Sequence, residues 1–402
     1  MSSSRIQEPQ NSYNPYNTRQ PDNHGRFVPS SNNAWSRNGA QYEMKPLDPA
    51  YNGQGNFHRF VSSIRGSKKN KTCFFIGLFI FILILGGAIA AAAILIPKSR
   101  KDKTIHYETD ADGYIVWNKD PSLVRSFYGI GYTSESSQYP YCGLTQEEVI
   151  EDVKILSQLT HRIRLYGMDC HQAEYTLEAV RRLKADTKVT LTIWVDDNDV
   201  TYKRQYDEFF RLLQKYGTNY IDAVSVGNEM LFREEVTRAK LYQYIADVRS
   251  KVQSLGYNIP VSTTELGTNY NAELLSKVDV GMANIHPYFG GTTAENAANW
   301  TFTYLEEEVK INAKQGQDVI ISEVGWPTEG ASEKSAVASV KNQQRFMNDF
   351  VCEANRRGVK YYWFEALDLK WKTKTWTVLE GHWGMFDEKK KAKITLPNCP
   401  LE

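Results

Sequence analysis

Ala223-Val224-Ser225-Val226-Gly227-Asn228-Glu229-Met230 decides how this chain reads: a short β-branched run that stops at Gly-Asn and ends on an acid. An amphipathic segment precedes it, Tyr202 to Tyr216, and another follows, Arg238 to Leu255, so the stretch is one strand inside a strand-and-helix rhythm. Working outward, the same rhythm predicts strands at Phe127–Tyr132, Arg162–Tyr166, Val189–Val195, Tyr220–Val226, Pro260–Thr264, Val280–Ile285, Val319–Ser322 and Lys360–Phe364. Further helices are predicted at Gln146–Leu159 and Ala336–Arg357. Eight such units in roughly 280 residues have the size of a (β/α)8 TIM barrel, class α/β. A doubly wound sheet is the other fold with this alternation, because alternation alone does not say whether a sheet closes. Its phosphate-binding signature is missing: Gly129-Ile130-Gly131 lacks a third glycine, and no GxxxxGK[ST] occurs.

In a barrel, chemistry sits at the C-terminal ends of the strands. Two acids stand there: Glu229 after the fourth strand, and Glu323 where Val319-Ile320-Ile321-Ser322 runs into Glu323-Val324-Gly325-Trp326-Pro327. An acid at the end of a buried apolar strand costs desolvation unless it is paired or hydrogen-bonded, so packing alone seldom puts one there. The bland alternative is an acid that caps the following loop or helix. Two carboxyls facing one another across a barrel mouth suit glycosidic bond cleavage, one protonating the leaving oxygen while the other attacks the anomeric carbon or activates water.

The 402-residue chain divides by composition into tail, span and body. Residues 1–72 are rich in Asn, Ser, Gln, Tyr, Pro and Gly without apolar periodicity, which predicts a disordered tail. Cys73 to Ile96 holds 24 residues without a charge, long enough to cross a bilayer as one transmembrane helix. A juxtamembrane linker is expected over 97–124 and the barrel over 125–402. Basic residues flank the span on both sides, but the first 71 residues carry ten basic and four acidic side chains, and long folded domains translocate largely regardless of charge. The expectation is a single-pass type II plasma-membrane protein with a cytosolic tail and an extracellular body facing the cell wall.

Charge follows the same division. Residues 1–103 carry 14 Lys and Arg against 5 Asp and Glu, and the remainder carries 34 against 42. An acidic body is a poor phosphate-binding surface, so nucleic acid is not an expected partner. Beyond Cys73, four cysteines remain, an even number suited to two disulfides in an oxidising compartment with three possible connectivities; of these the pairing chosen is Cys142 with Cys170, both in early strand-helix loops, and Cys352 with Cys399 at the C-terminal end. Asn299-Trp300-Thr301 is an N-glycosylation triplet. His161, His171, His286 and His382 lack metal-site spacing and read as hydrogen-bonding residues; GxSxG is absent, which excludes the common Ser-His-Asp arrangement. Asp197 and Asp199 follow the third strand and are candidates to line the cleft.

Seven ordered motifs carry a family resemblance over about 127–387. They are Phe127-Tyr128-Gly129-Ile130, Arg162-Ile163-Arg164-Leu165-Tyr166, Val226-Gly227-Asn228-Glu229, Asn284-Ile285-His286-Pro287-Tyr288-Phe289, Ser322-Glu323-Val324-Gly325-Trp326-Pro327, Phe364-Glu365-Ala366 and His382-Trp383-Gly384-Met385-Phe386. The body resembles glycoside hydrolase family 17, in particular the fungal cell-wall β-1,3-glucanases and glucanosyltransferases, including membrane-anchored forms. The resemblance implies a retaining enzyme with Glu229 as general acid/base and Glu323 as nucleophile. It also implies Asn228 on the sugar 2-hydroxyl, Tyr288 beside the nucleophile and hydrogen-bonded to it, and Arg164, Tyr166, Trp326 and Glu365 among the substrate-binding residues. Tyr166, Tyr288 and Trp326 are the expected stacking platforms for glucose rings.

One motif departs from the family pattern. Glu365-Ala366-Leu367-Asp368-Leu369-Lys370-Trp371-Lys372 has Leu369 and Lys370 where fungal relatives carry an acid and a proline, which bears on subsite shape. The expected partner is β-1,3-glucan, with no metal or organic cofactor, and the expected reaction is endo-hydrolysis by double displacement. Glucanosyl transfer with the same two carboxyls is the near alternative, and a non-catalytic wall-binding sensor the distant one. Oligomeric state is not encoded in any motif.

Overall fold

The structure is a computed structural model that describes residues 105–401 and, before them, two three-residue strands, Arg19–Pro21 and Phe27–Pro29, paired antiparallel. The expected transmembrane span and most of the expected tail lie outside the described residues. Among the described residues no helix is long and apolar enough to cross a membrane.

Eight parallel strands close into a barrel. They are β1 (Gly129–Gly131), β2 (Arg162–Arg164), β3 (Lys188–Ile193), β4 (Ile221–Asn228), β5 (Val261–Leu266), β6 (Gly281–Asn284), β7 (Val319–Val324) and β8 (Tyr361–Trp363). The order follows the chain, and β8 closes on β1 through Tyr362 opposite Gly129 and Trp363 opposite Ile130. All eight predicted strands are present, and the sheet closes rather than winding both ways.

A helix follows every strand: α1 (Gln146–Leu159), α2 (Gln172–Arg182), α3 (Asp199–Tyr216), α4 (Arg238–Ser254), α5 (Ala272–Lys277), α6 (Ala294–Tyr304), α7 (Val340–Arg356) and α8 (Lys370–Thr375). Their starts are written in side chains. Thr145 caps α1 in a reciprocal capping box with Glu148, Asn198 caps α3, Thr237 caps α4, Asn271 caps α5 and Ser339 caps α7, each satisfying an amide that the helix itself leaves open. The apolar faces of these helices pack on outward strand residues such as Tyr361 and Trp363, both fully buried, against Phe346 and Phe350 of α7.

Inside the barrel the filling is unusually polar. Thr190, Thr192, Ser225, Ser262, Thr264 and Ser322 are all buried, and Thr190 of β3 meets the Tyr362 hydroxyl of β8 across the interior at 2.8 Å. Most of these hydroxyls are satisfied by one another or by backbone carbonyls, as buried polar groups generally are, while the Thr192 hydroxyl has no hydrogen-bond partner among the described residues.

The chain from residue 105 onward, expected as linker up to 124, lies on the barrel wall. Tyr107 donates to Glu151 of α1 at 3.0 Å, Ile115 is buried with its amide on the Arg182 carbonyl, and Trp117 Nε1 reaches the Leu183 carbonyl. Both disulfides pair as expected, Cys142 with Cys170 between the β1 and β2 loops and Cys352 of α7 with Cys399 of the C-terminal segment.

Candidate active site

The two acids reach the barrel mouth through irregularities in their own strands. Asn228 pairs with Thr264 while Ser225 pairs with Ser262, so β4 spends one residue more than β5 over the same span. Likewise Ala283 faces Ile321 but Asn284 faces Glu323, and β8 records the same extra residue in β7. A bulge of this kind inverts the side-chain alternation and re-aims the residues beyond it. On β4 the bend falls at Gly227, whose φ of +78° is a conformation open to glycine, and a Cβ there would lie 1.5 Å from the Met230 methyl. Glu229 itself sits at φ +56°, a left-handed backbone held by its amide bonding the Thr264 carbonyl at 2.8 Å.

Arg164 lies at the centre of the site. Fully enclosed on β2, it donates to Glu323 Oε1 at 2.8 Å and the Ser322 carbonyl at 3.0 Å through one nitrogen. Through the other it reaches Asn228 Oδ1 at 2.7 Å and Thr264 Oγ1 at 3.1 Å. The second Glu323 oxygen faces His286 Nε2 at 3.1 Å; an ionised carboxylate only accepts, so this nitrogen carries the proton. Asn284 ties the halves together: its Nδ2 donates to Glu229 Oε1 at 2.7 Å, and its Oδ1 accepts from Ser322 Oγ at 2.7 Å. Both acids therefore belong to one hydrogen-bonded network spanning β2, β4, β5, β6 and β7.

Within that network the two carboxyls are driven apart in acidity. Burial, reinforced by the negative charge of Glu323, pushes Glu229 up to about 7. Burial opposes ionisation of Glu323 as well, but the His286 hydrogen bond and the Arg164 guanidinium outweigh it and hold this carboxyl below its ordinary value. Near neutral pH the pair is poised as one acid and one anion.

Glu365 stands beside them at the end of β8, after a cis Phe364–Glu365 peptide. It is buried and paired with Lys372 of α8 at 2.7 Å; burial pushes it up to about 7 even though Lys372 pulls it down. Gly325 lets the β7 loop lie against this strand end, since a Cβ there would meet the Phe364 carbonyl at 1.9 Å.

The aromatic residues divide. Tyr166 is half-buried, with the Arg164 guanidinium 4.4 Å from its ring centre and a hydroxyl that has no hydrogen-bond partner among the described residues. Tyr288 and Trp326 are enclosed, 1% and 0% exposed, and pack edge-on at 5.2 Å, so neither ring face is open to a ligand. The Tyr288 hydroxyl donates to the Ala331 carbonyl and Trp326 Nε1 to the Val337 carbonyl. The hydrogen bond to Glu323 expected of Tyr288 is made instead by His286, whose position after β6 matched the strand-end rule but whose partner no motif revealed. Asn284, Thr264 and Lys372 join the site in the same way.

Of the two acids that follow β3, Asp197 is exposed and Asp199 opens α3 and accepts from Tyr244 at 2.6 Å; neither bonds to the network around Glu229 and Glu323. Asn299 is exposed on α6, whereas Thr301 of its triplet is buried with its hydroxyl on the Ala297 carbonyl. Among the described residues no group of His, Cys, Asp and Glu is arranged to hold a metal ion.

Comparison with known proteins gives a consistent result. Residues 129–384 match the family model described as the BtgE/BtgC glycoside hydrolase domain. The Aspergillus flavus "Probable glucan endo-1,3-beta-glucosidase btgC" is 32% identical over 387 residues, covering 86% of this chain and 56% of the relative. The Emericella nidulans "Glucan endo-1,3-beta-glucosidase btgC" is 33% identical over 329 residues, 73% of this chain and 50% of the relative. The chain thus spans about half the length of the curated relatives it matches. Among solved structures, the glycoside hydrolase family 17 β-1,3-glucanosyltransferase from Rhizomucor miehei superposes with a TM-score of 0.60 at 27% identity, covering 68% of this chain and 97% of that one. An active-site mutant of that enzyme has been solved with laminaritriose.

Proposed function

We propose a reaction that starts from one fact: the chain belongs to the BtgE/BtgC glycoside hydrolase domain family. On that premise it cleaves β-1,3-glucan internally, with retention, through a covalent glycosyl-enzyme. Glu229 protonates the glycosidic oxygen as the bond to the anomeric carbon breaks, and Glu323 attacks that carbon and becomes its ester. Forming the ester removes the Glu323 charge, so Glu229, now an anion, is relieved of its neighbour and takes a proton from the incoming acceptor. Water as acceptor gives hydrolysis. Asn228, held by Arg164 and Thr264, presents its amide to the 2-hydroxyl, a contact that strengthens as positive charge grows on the ring.

The observation that carries this reading is the opposed acidity of two carboxyls within one network. The test digests reduced laminarin oligosaccharides with the full chain and follows the anomeric proton by NMR. The β-anomer should appear first, and Glu229→Gln and Glu323→Gln should each lose at least ~10³-fold in kcat. First appearance of the α-anomer, or activity retained in either variant, would overturn it.

A second reading has its own support. The Rhizomucor miehei structure is that of a glucanosyltransferase, and a sugar hydroxyl entering in place of water would make this chain one too. Products longer than the donor, seen by mass spectrometry, would select it. The uncharged Cys73–Ile96 run and the two disulfides favour a type II plasma-membrane anchor with the barrel outside, and Asn299 as a glycan acceptor. Protease protection of the tail in sealed vesicles distinguishes that orientation from its reverse.

A further inference from the structure

Glu265 is fully buried and takes no part in the chemistry described above. It sits on β5 directly after Thr264, whose hydroxyl points into the barrel toward Arg164 and Asn228. The pairing of β5 with β6 is regular here, Thr264 with Met282 and Glu265 with Ala283, so strand alternation turns Glu265 outward, away from the cleft. It cannot touch a sugar in the mouth.

What it does touch is the loop that carries the acid. Oε1 accepts the Leu231 amide at 2.9 Å, and the Phe232 amide is aimed at the same carboxyl. Oε2 accepts from Asn269 Nδ2 at 3.1 Å, and the Asn269 backbone carbonyl is in turn held by Arg238 of α4. Two consecutive amides converging on one buried carboxyl group fix the turn through its acceptor oxygens. The turn begins at Glu229, whose φ of +56° is unfavourable for an acid and must be imposed by its surroundings. Upstream the sheet does so through the Glu229 amide on the Thr264 carbonyl, and downstream this buried carboxyl takes the amides of residues 231 and 232.

We propose that Glu265 is a positioning residue for the general acid, holding the 229–232 turn so that the Glu229 carboxyl meets the leaving oxygen. This rests on the assignment of Glu229 as acid in the proposed function. Its consequence is selective: a misplaced acid harms only those substrates whose leaving group needs a proton.

The experiment compares kcat/KM of the full chain on reduced laminarin oligosaccharides, whose leaving group needs protonation, with kcat/KM on 2,4-dinitrophenyl β-laminaribioside, whose leaving group does not. Glu265→Met keeps the volume and removes both acceptors; it should lose ~10²-fold on the oligosaccharides and under about 3-fold on the aryl glycoside. Glu265→Gln keeps a carbonyl for the Leu231 amide and should stay within about 5-fold of wild type on both. Asn269→Ala, at a half-buried position, should show the same selectivity on a smaller scale if Glu265→Met fails to fold. Equal losses on both substrates would reduce Glu265 to a structural role and overturn the proposal, as would no loss on either. Glu229→Ala serves as the reference: absence of leaving-group dependence there would mean that the acid assignment, not the positioning of the turn, is at fault.

Discussion

His286 and Arg164 set the acidity of Glu323 from opposite sides, one oxygen each. The rate requires Glu323 ionised and Glu229 protonated, so kcat/KM should fall on the alkaline side as Glu229 loses its proton near pH 7. On the acid side it should hold until below the ordinary carboxylate range, because Glu323 is lowered. Replacing His286 with Ala removes a hydrogen bond that favours the Glu323 anion and should move the acid limb up by about one pH unit, with a smaller upward shift of the alkaline limb because His286 also lowers Glu229. A shift of the alkaline limb alone would contradict these roles. The two acids were legible from the sequence because a charged residue at the end of an apolar strand has few explanations. His286 stood in a motif without a visible partner, and Glu265 was silent, because hydrogen bonds to a backbone turn leave no period or spacing behind.

Strands and helices were legible where local chemistry marks their limits. Gln146–Leu159 matches α1 because Thr145 and Glu148 form a capping box that the sequence displays. Periodicity starts α7 at Ala336, but Ser339 is the cap and Ala336 bridges back to Glu333, a turn that a helical pattern absorbs unnoticed. The bulges in β4 and β7 were not legible, since one extra residue looks the same in sequence whether or not it pairs. Between elements, Gln343 of α7 is fully buried and its Nε2 bonds the carbonyls of Trp326, Trp383 and Gly384 at 2.8, 3.1 and 3.2 Å. It fastens α7 to the β7 loop and to the His382–Phe386 segment. Gln343→Leu leaves those carbonyls short of a donor and should cost about 2 kcal/mol in urea unfolding. A change below about 0.5 kcal/mol would mean the helix is held by its apolar face alone.

For the whole molecule, buried acids set the pH at which the fold is firmest. Glu229, Glu265 and Glu365 are each pushed by burial to about 7. Between about pH 4.5 and 7 each keeps a proton that the unfolded chain has released, so stability falls as pH rises through that window. In the other direction, the Arg356 and Arg357 pairings hold Glu353 at about 2, and Arg211 and Lys215 hold Glu174 at about 2 despite its burial. Their contribution is present above about pH 4.5 and is lost as pH falls toward 2. The Tm should therefore peak near pH 4.5–5 and decline on both sides; a Tm still rising at pH 7 would contradict the balance. Arg164 adds a consequence of its own. It joins β2 to β4, β5 and β7 and has one anionic hydrogen-bond partner among the described residues, Glu323, the others being uncharged oxygens. In the double displacement proposed above, converting that partner to an ester would leave a cation sealed from water without its hydrogen-bonded counterion. In that mechanism the nearest remaining negative charge would be the newly ionised Glu229, and release of the sugar would restore the direct pairing of Arg164 with Glu323.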